Sequence, residues 1–152
     1  MTSVEPTPAS GSDAAFGAAL KTEYAVIYGY GMVSAYSAPE LNELVSTAIH
    51  QHRDRRDRAI AMLTGRSITV PVPAAGYQLP TPLTDSDEAV RLASRMENDA
   101  AAAWRAVVEQ ADEPTDREFA AAALSQSAVL AAQWNRAAGR WPFTTAFPGG
   151  ED

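Results

Sequence analysis

The chain has 152 residues, no cysteine and a formal net charge of -7 at pH 7. That length suits one domain with a real core, and the lack of cysteine excludes disulfides, thiolate zinc sites, iron–sulfur clusters and cysteine nucleophiles. An acidic balance argues against general nucleic-acid binding, which needs clustered Lys and Arg.

Hydrophobic residues make up 46% of the chain, and much of that share is alanine. Alanine is the best helix former but buries little area. A core built from it must rely on close helix approach and a few large anchors such as Phe16, Trp104 and Trp134. No apolar run approaches the ~18 residues of a transmembrane helix. Residues 2–12 hold neither the basic nor the apolar stretch of a signal peptide. The expectation is a cytoplasmic protein with no membrane or nucleic-acid partner.

Residues 1–13 are rich in Pro, Ser, Thr and Gly and read as a disordered tail, with Ser12 or Asp13 capping the first helix. The bundle proper is expected over residues 14–139. Phe16, Leu20, Tyr24, Ile27 and Gly31 then recur at steps of three and four, a helical stripe on which Glu23 also falls. Ser37 is a cap for the second helix and Pro39 suits its first turn. That helix carries Leu41, Val45, Ala48, His52, Arg55, Ala59 and Met62 on one face, and Gly65 is its expected stop.

Residues 66–85 contain Pro71, Pro73, Pro80 and Pro82, a density no helix survives. Residues 67–70 read as extended. Thr84 or Asp85 opens the third helix, with Ala89, Ala93, Glu97, Ala100, Trp104, Val107 and Ala111 on its stripe. Asp112-Glu113-Pro114 breaks it, and Thr115 and Glu118 have capping-box spacing. The fourth helix presents Phe119, Ala123, Gln126, Leu130, Gln133 and Trp134 and stops at Gly139. Residues 140–152 form an irregular aromatic tail, expected to fold back over a bundle end.

Connections that run short, long, short predict an all-α, antiparallel four-helix bundle of ferritin-like topology. Its Pro-rich crossover joins helices 2 and 3 and sets them parallel. Core-facing polar residues fall near the middle of each helix: Glu23, His52, Glu97 and Gln126, with Tyr30 two turns after Glu23. Helices of similar length bring mid-helix residues to one height, so a polar layer should cross the bundle.

Di-iron bundles place a Glu on each of two helices and a Glu-x-x-His on each of the other two. Glu23 and Glu97 match the first requirement. The second helix reads Ile49-His50-Gln51-His52, with Ile where the bridging Glu belongs; the fourth has neither Glu nor His at that height. From about residue 14 to 148 the chain resembles an alanine-rich actinobacterial ferritin-like family whose function is unknown. The resemblance rests on the run from Glu23 to Gly31, on His52-Arg53-Asp54-Arg55-Arg56-Asp57, on Tyr77-Gln78-Leu79-Pro80 and on the closing Pro142-Phe143 and Phe147-Pro148-Gly149. It implies the fold and a degenerate di-iron site.

Glu23, His52 and Glu97 remain as candidate metal ligands, a set suited to a single Fe or Mn with open positions. The favoured expectation is no cofactor. Arg55 and Arg56 lie one turn from His52, and either one facing inward would replace the metal's charge with bidentate hydrogen bonds to the carboxylates. His50 reads as a surface histidine. The run from Arg53 to Arg58 reads as a solvated face with Arg53–Asp57 and Asp54–Arg58 pairs. No serine triad or phosphate loop is present.

These features predict a non-catalytic bundle acting as a homodimer or partner-binding module. The alternative is a metal-binding protein or metal-dependent oxidoreductase, and a third reading is a bundle with a ligand cavity between its small alanines.

Overall fold

The computed structural model describes residues 10–150, in which four α-helices and no strand occur. They are α1 (Gly11–Tyr36), α2 (Asn42–Gly65), α3 (Ser86–Gln110) and α4 (Pro114–Ala137). None of the described helices is long and apolar enough to cross a membrane.

Packed pairs give the directions. Tyr30 of α1 meets Glu97 of α3 while Phe16 meets Trp104, so these helices are antiparallel. Phe16 lies 6.0 Å from Phe119, and Tyr30 lies 6.2 Å from Trp134, so α1 runs parallel to α4. Arg55 reaches Ser127 and Arg66 reaches Asp116, so α2 and α4 are antiparallel. The expected all-α, antiparallel four-helix bundle is therefore the observed architecture, with the long link joining α2 to a parallel α3.

Helix ends differ from the sequence expectation in instructive ways. Ser10, not Ser12 or Asp13, caps α1, accepting from the Asp13 amide at 3.1 Å. Ser12 is buried and accepts instead from the Asp112 amide. Ser10, Ser12 and Asp13 are all competent caps, and the one that leaves Asp13 in the first turn satisfies the helix dipole as well. The expected tail over 1–13 thus loses its last residues to α1, and residues 1–9 lie outside the described chain.

Ser37 ends α1 rather than starting α2, its amide bonding to Val33. A 3-10 turn at Pro39–Leu41 leads into α2 without a side-chain cap. At the far end α2 continues through Gly65, and the left-handed residue is Ser67. The capping box at Thr115 and Glu118 does not form, because α4 starts at Pro114. Proline at the first position already fits the helix and spares one orphan amide.

On α1 the buried stripe passes through Val26, Tyr30 and Val33; Ile27 is partly exposed and Gly31 faces open space. Gly29 is the glycine that close packing needs. A Cβ there would run into the Met96 side chain of α3, which would have to shift.

Residues 67–70 pair with no strand among the described residues, and Ser67 departs from the extended reading with a φ of 56°. Ile68, Val70 and Tyr77 pack on one core cluster, built around Phe16, Leu20, Leu63 and Trp104. Leu79 and Leu83 pack on the other, built around Tyr30, Val33, Leu92 and Trp134. The Tyr24 hydroxyl donates to the Pro71 carbonyl at 2.8 Å. The crossover is thus a strap laid across α1, which accounts for its length.

The C-terminal segment lies along the flank of α3 and α4, not over a bundle end. Asn135 Nδ2 donates to the Phe143 carbonyl at 3.1 Å. Gly149 adopts a positive φ and presses on α3, where a Cβ would stand 2.7 Å from the Ala101 carbonyl oxygen. Gly149→Ala should therefore release this segment, since left-handed backbone and a backbone clash both oppose it. Amide exchange over residues 143–150 should rise about tenfold or more while the four helices keep their protection. Unchanged exchange there would show that the docking does not depend on Gly149.

Candidate functional site

The two apolar clusters are separated by a buried polar layer in which every helix takes part. α1 supplies Glu23 and Tyr30, α2 His52 and Arg55, α3 Glu97 and Trp104, and α4 Ser127 and Trp134. Each is a core-phase position on an amphipathic helix, so the same periodicity that buries leucines elsewhere buries these groups.

His52 bridges the two carboxylates. Its Nδ1 lies 2.6 Å from Glu23 Oε2 and its Nε2 lies 2.9 Å from Glu97 Oε1. Arg55 Nη1 donates to Glu23 Oε1 at 2.9 Å and to Ser127 Oγ at 3.0 Å. Trp104 Nε1 donates to Glu23 Oε1 at 2.7 Å. Tyr30 donates its hydroxyl hydrogen to Glu97 Oε1 and accepts from Trp134 Nε1 at 2.8 Å. Glu97 Oε2 and Arg55 Nε have no partner among the described residues.

Electrostatics follow from this geometry. Burial alone would hold His52 neutral, but hydrogen bonds and charge from Glu23 and Glu97 outweigh it and raise the imidazole pKa to about 9. Burial likewise opposes ionisation of Glu23. The His52 hydrogen bond, the His52 and Arg55 charges and the Trp104 donor win, and its pKa is lowered. Burial and the Glu97 charge hold the Tyr30 hydroxyl well above the ordinary phenol range. With His52 protonated, its imidazolium lies between Glu23 and Glu97, and the Arg55 guanidinium faces Glu23.

Of the two arginines, Arg55 faces inward with 3% exposure. Arg56 turns outward and pairs with Asp57 at 2.8 Å. Gln126 sits at the exposed rim, not in the layer; its Oε1 accepts from Arg55 Nη2 at 3.1 Å. The inward position on α4 belongs to Ser127, which sequence reasoning passed over. Its phase with Ala120, Ala123 and Leu130 was the available signal, masked by the greater length of Gln126. Trp104 and Trp134, expected as apolar anchors, also donate hydrogen bonds into the layer. His50 is exposed, and in the arginine run Asp54–Arg58 forms, at 3.7 Å, while Asp57 pairs with Arg56.

Glu23, His52 and Glu97 meet, but their donor atoms bond one another instead of converging on a common point. Both imidazole nitrogens are taken by carboxylates, and Arg55 occupies the remaining face of Glu23. Among the described residues no group of three or more His, Cys, Asp or Glu is arranged to hold a metal ion.

A family model described as a domain of unknown function, DUF4439, matches residues 15–152. The chain belongs to that family. The structure is also similar to the crystal structure of a conserved hypothetical protein from Mycobacterium tuberculosis, with 56% identity and a TM-score of 0.83. That match covers 91% of this chain and 97% of the other. Among curated proteins none matches. This chain thus shares the bundle described above with a chain from an actinobacterium.

Proposed function

We propose that this DUF4439 protein is a ferritin-like bundle with a degenerate di-iron site, non-catalytic, acting through its surface as a homodimer or partner-binding module. The observation that carries this reading is the place of Arg55. Its guanidinium, together with the imidazolium of His52, supplies the positive charge that buried carboxylates require. The layer is closed by its own side chains, so two divalent ions would meet repulsion rather than a waiting ligand set.

The outer surface offers what the core does not. Trp141 and Phe147 are 81% and 78% exposed on the C-terminal segment, and Val129 is exposed on α4. Large aromatic side chains at such positions are typical anchors of protein interfaces.

Two measurements test the proposal. Elemental analysis of protein purified without chelator should find iron and manganese far below one per chain, unchanged in Glu23→Ala. Stoichiometric metal that Glu23→Ala abolishes would overturn the metal-free reading. Sedimentation should show a dimer that Trp141→Ser with Phe147→Ser converts to monomer. A monomer that captures no partner from its host would overturn the surface reading.

A further inference from the structure

Between α2 and α4 lies an open cleft of about 370 Å3, within the size range of small-ligand pockets. Arg55 and Gln126 stand in its lining next to the polar layer, with Arg58, Met62 and Phe119 along its walls. Arg55 is therefore the member of the layer that borders the cleft.

Arg55 is only partly used by the core. Its Nη1 donates to Glu23 and Ser127. The other forked edge of the guanidinium, formed by Nε and Nη2, has one partner. That partner is the side-chain oxygen of Gln126, an exposed residue, at 3.1 Å from Nη2. Nε is buried and has no partner among the described residues. A forked edge of this kind matches the two oxygens of a carboxylate. Desolvating an N–H of a charged group without a partner is costly, so a ligand that satisfies it gains affinity.

The cleft walls narrow the ligand class. Arg58 stacks over the Phe119 ring at 5.2 Å from its centroid, giving a flat, polarisable wall beside Met62. Asp54 and Glu118 also line the cleft. Their charge, and the neutralisation of Arg55 by Glu23, disfavour multiply charged anions such as phosphate.

We propose that the α2–α4 cleft binds a small aromatic monocarboxylate, whose carboxylate displaces Gln126 and pairs with the Nε–Nη2 edge of Arg55. Its ring lies against Arg58 and Phe119. The site rests on Arg55 keeping its place in the layer. Metal content tests that premise, and carboxylate titration tests this site, so the two failures are distinguishable.

Sodium benzoate is the probe, with benzamide as its neutral counterpart and inorganic phosphate as the multiply charged one, followed by ligand-observed NMR and calorimetry. Benzoate should bind about tenfold or more tightly than benzamide or phosphate. Gln126→Glu places the chain's own carboxylate on the Arg55 edge, and should abolish benzoate binding while leaving the melting temperature equal or higher. Arg58→Gln, at an exposed position, should weaken benzoate by about fivefold. No benzoate binding to the wild-type protein, equal binding of benzamide or phosphate, or undiminished benzoate affinity in a folded Gln126→Glu or Arg58→Gln protein would each overturn the proposal.

Discussion

Arg55→Met is expected to destabilise the folded protein by about 4 kcal/mol, because removing one partner of a buried ion pair strands the other. Glu23, itself fully buried, would keep the His52 and Trp104 hydrogen bonds but lose its guanidinium. Ser127 Oγ, now bonded to Arg55, would lose that partner too. The companion Glu23→Gln should be destabilising as well. The double replacement should cost less than the two singles added, with a coupling of at least about 1 kcal/mol. Urea unfolding of the four proteins at one pH provides the cycle. A loss below about 1 kcal/mol for Arg55→Met would mean that the guanidinium is not held in the layer as described. The cycle does not imply that the ion pair stabilises more than apolar packing would, since replacing both partners of a buried pair is often neutral. Helix register is the property such a layer protects, because each side chain reaches its partners only at one height of the bundle.

The second large effect is on pH dependence. His52 binds its proton more tightly when folded, its pKa raised from 6.5 to about 9. Its stabilisation is therefore complete below pH 6.5 and is lost as pH rises through about 9. Across that interval the unfolding free energy should fall by on the order of 3 kcal/mol. Glu23 has the opposite sense. Its folded pKa lies below 4.5, so its contribution is present above pH 4.5 and is lost as pH falls through the folded value. Stability should be greatest between these limits. Chemical denaturation at a series of pH values, with NMR titration of the imidazole, measures both limbs. His52→Gln should flatten the alkaline limb and leave the acid limb standing. An imidazole that titrates near 6.5 in the folded protein would contradict the bridging geometry.

The helices themselves were legible because their signals are local. Cap residues, proline breaks and the 3.6-residue stripe are properties of neighbouring residues, and α3 shows this best. Asp85 caps it, and every residue of its predicted stripe is buried, from Ala89 to Ala111. The long Pro-rich link was legible as an obstacle to helix, and its length implied the parallel pairing of α2 with α3. Glu23, His52 and Glu97 were legible as a set because core phase and mid-helix height can be counted from the sequence.

The rest was decided by contacts between distant residues. Periodicity leaves Arg55 and Arg56 about 100° apart on α2, and either one fits an inward helix face. Only the positions of Glu23 and Ser127 select Arg55. The same ambiguity moved the α4 position from Gln126 to Ser127, and the α1 stripe from Ile27 and Gly31 to Val26 and Tyr30. Whether two carboxylates and an imidazole form a metal site or a closed hydrogen-bonded layer depends on where their lone pairs point. That direction is set by packing across four helices, and no spacing along one helix carries it. Sequence thus determined that Glu23, His52 and Glu97 face the core; tertiary structure determined which groups complete the layer and that they are bonded to each other.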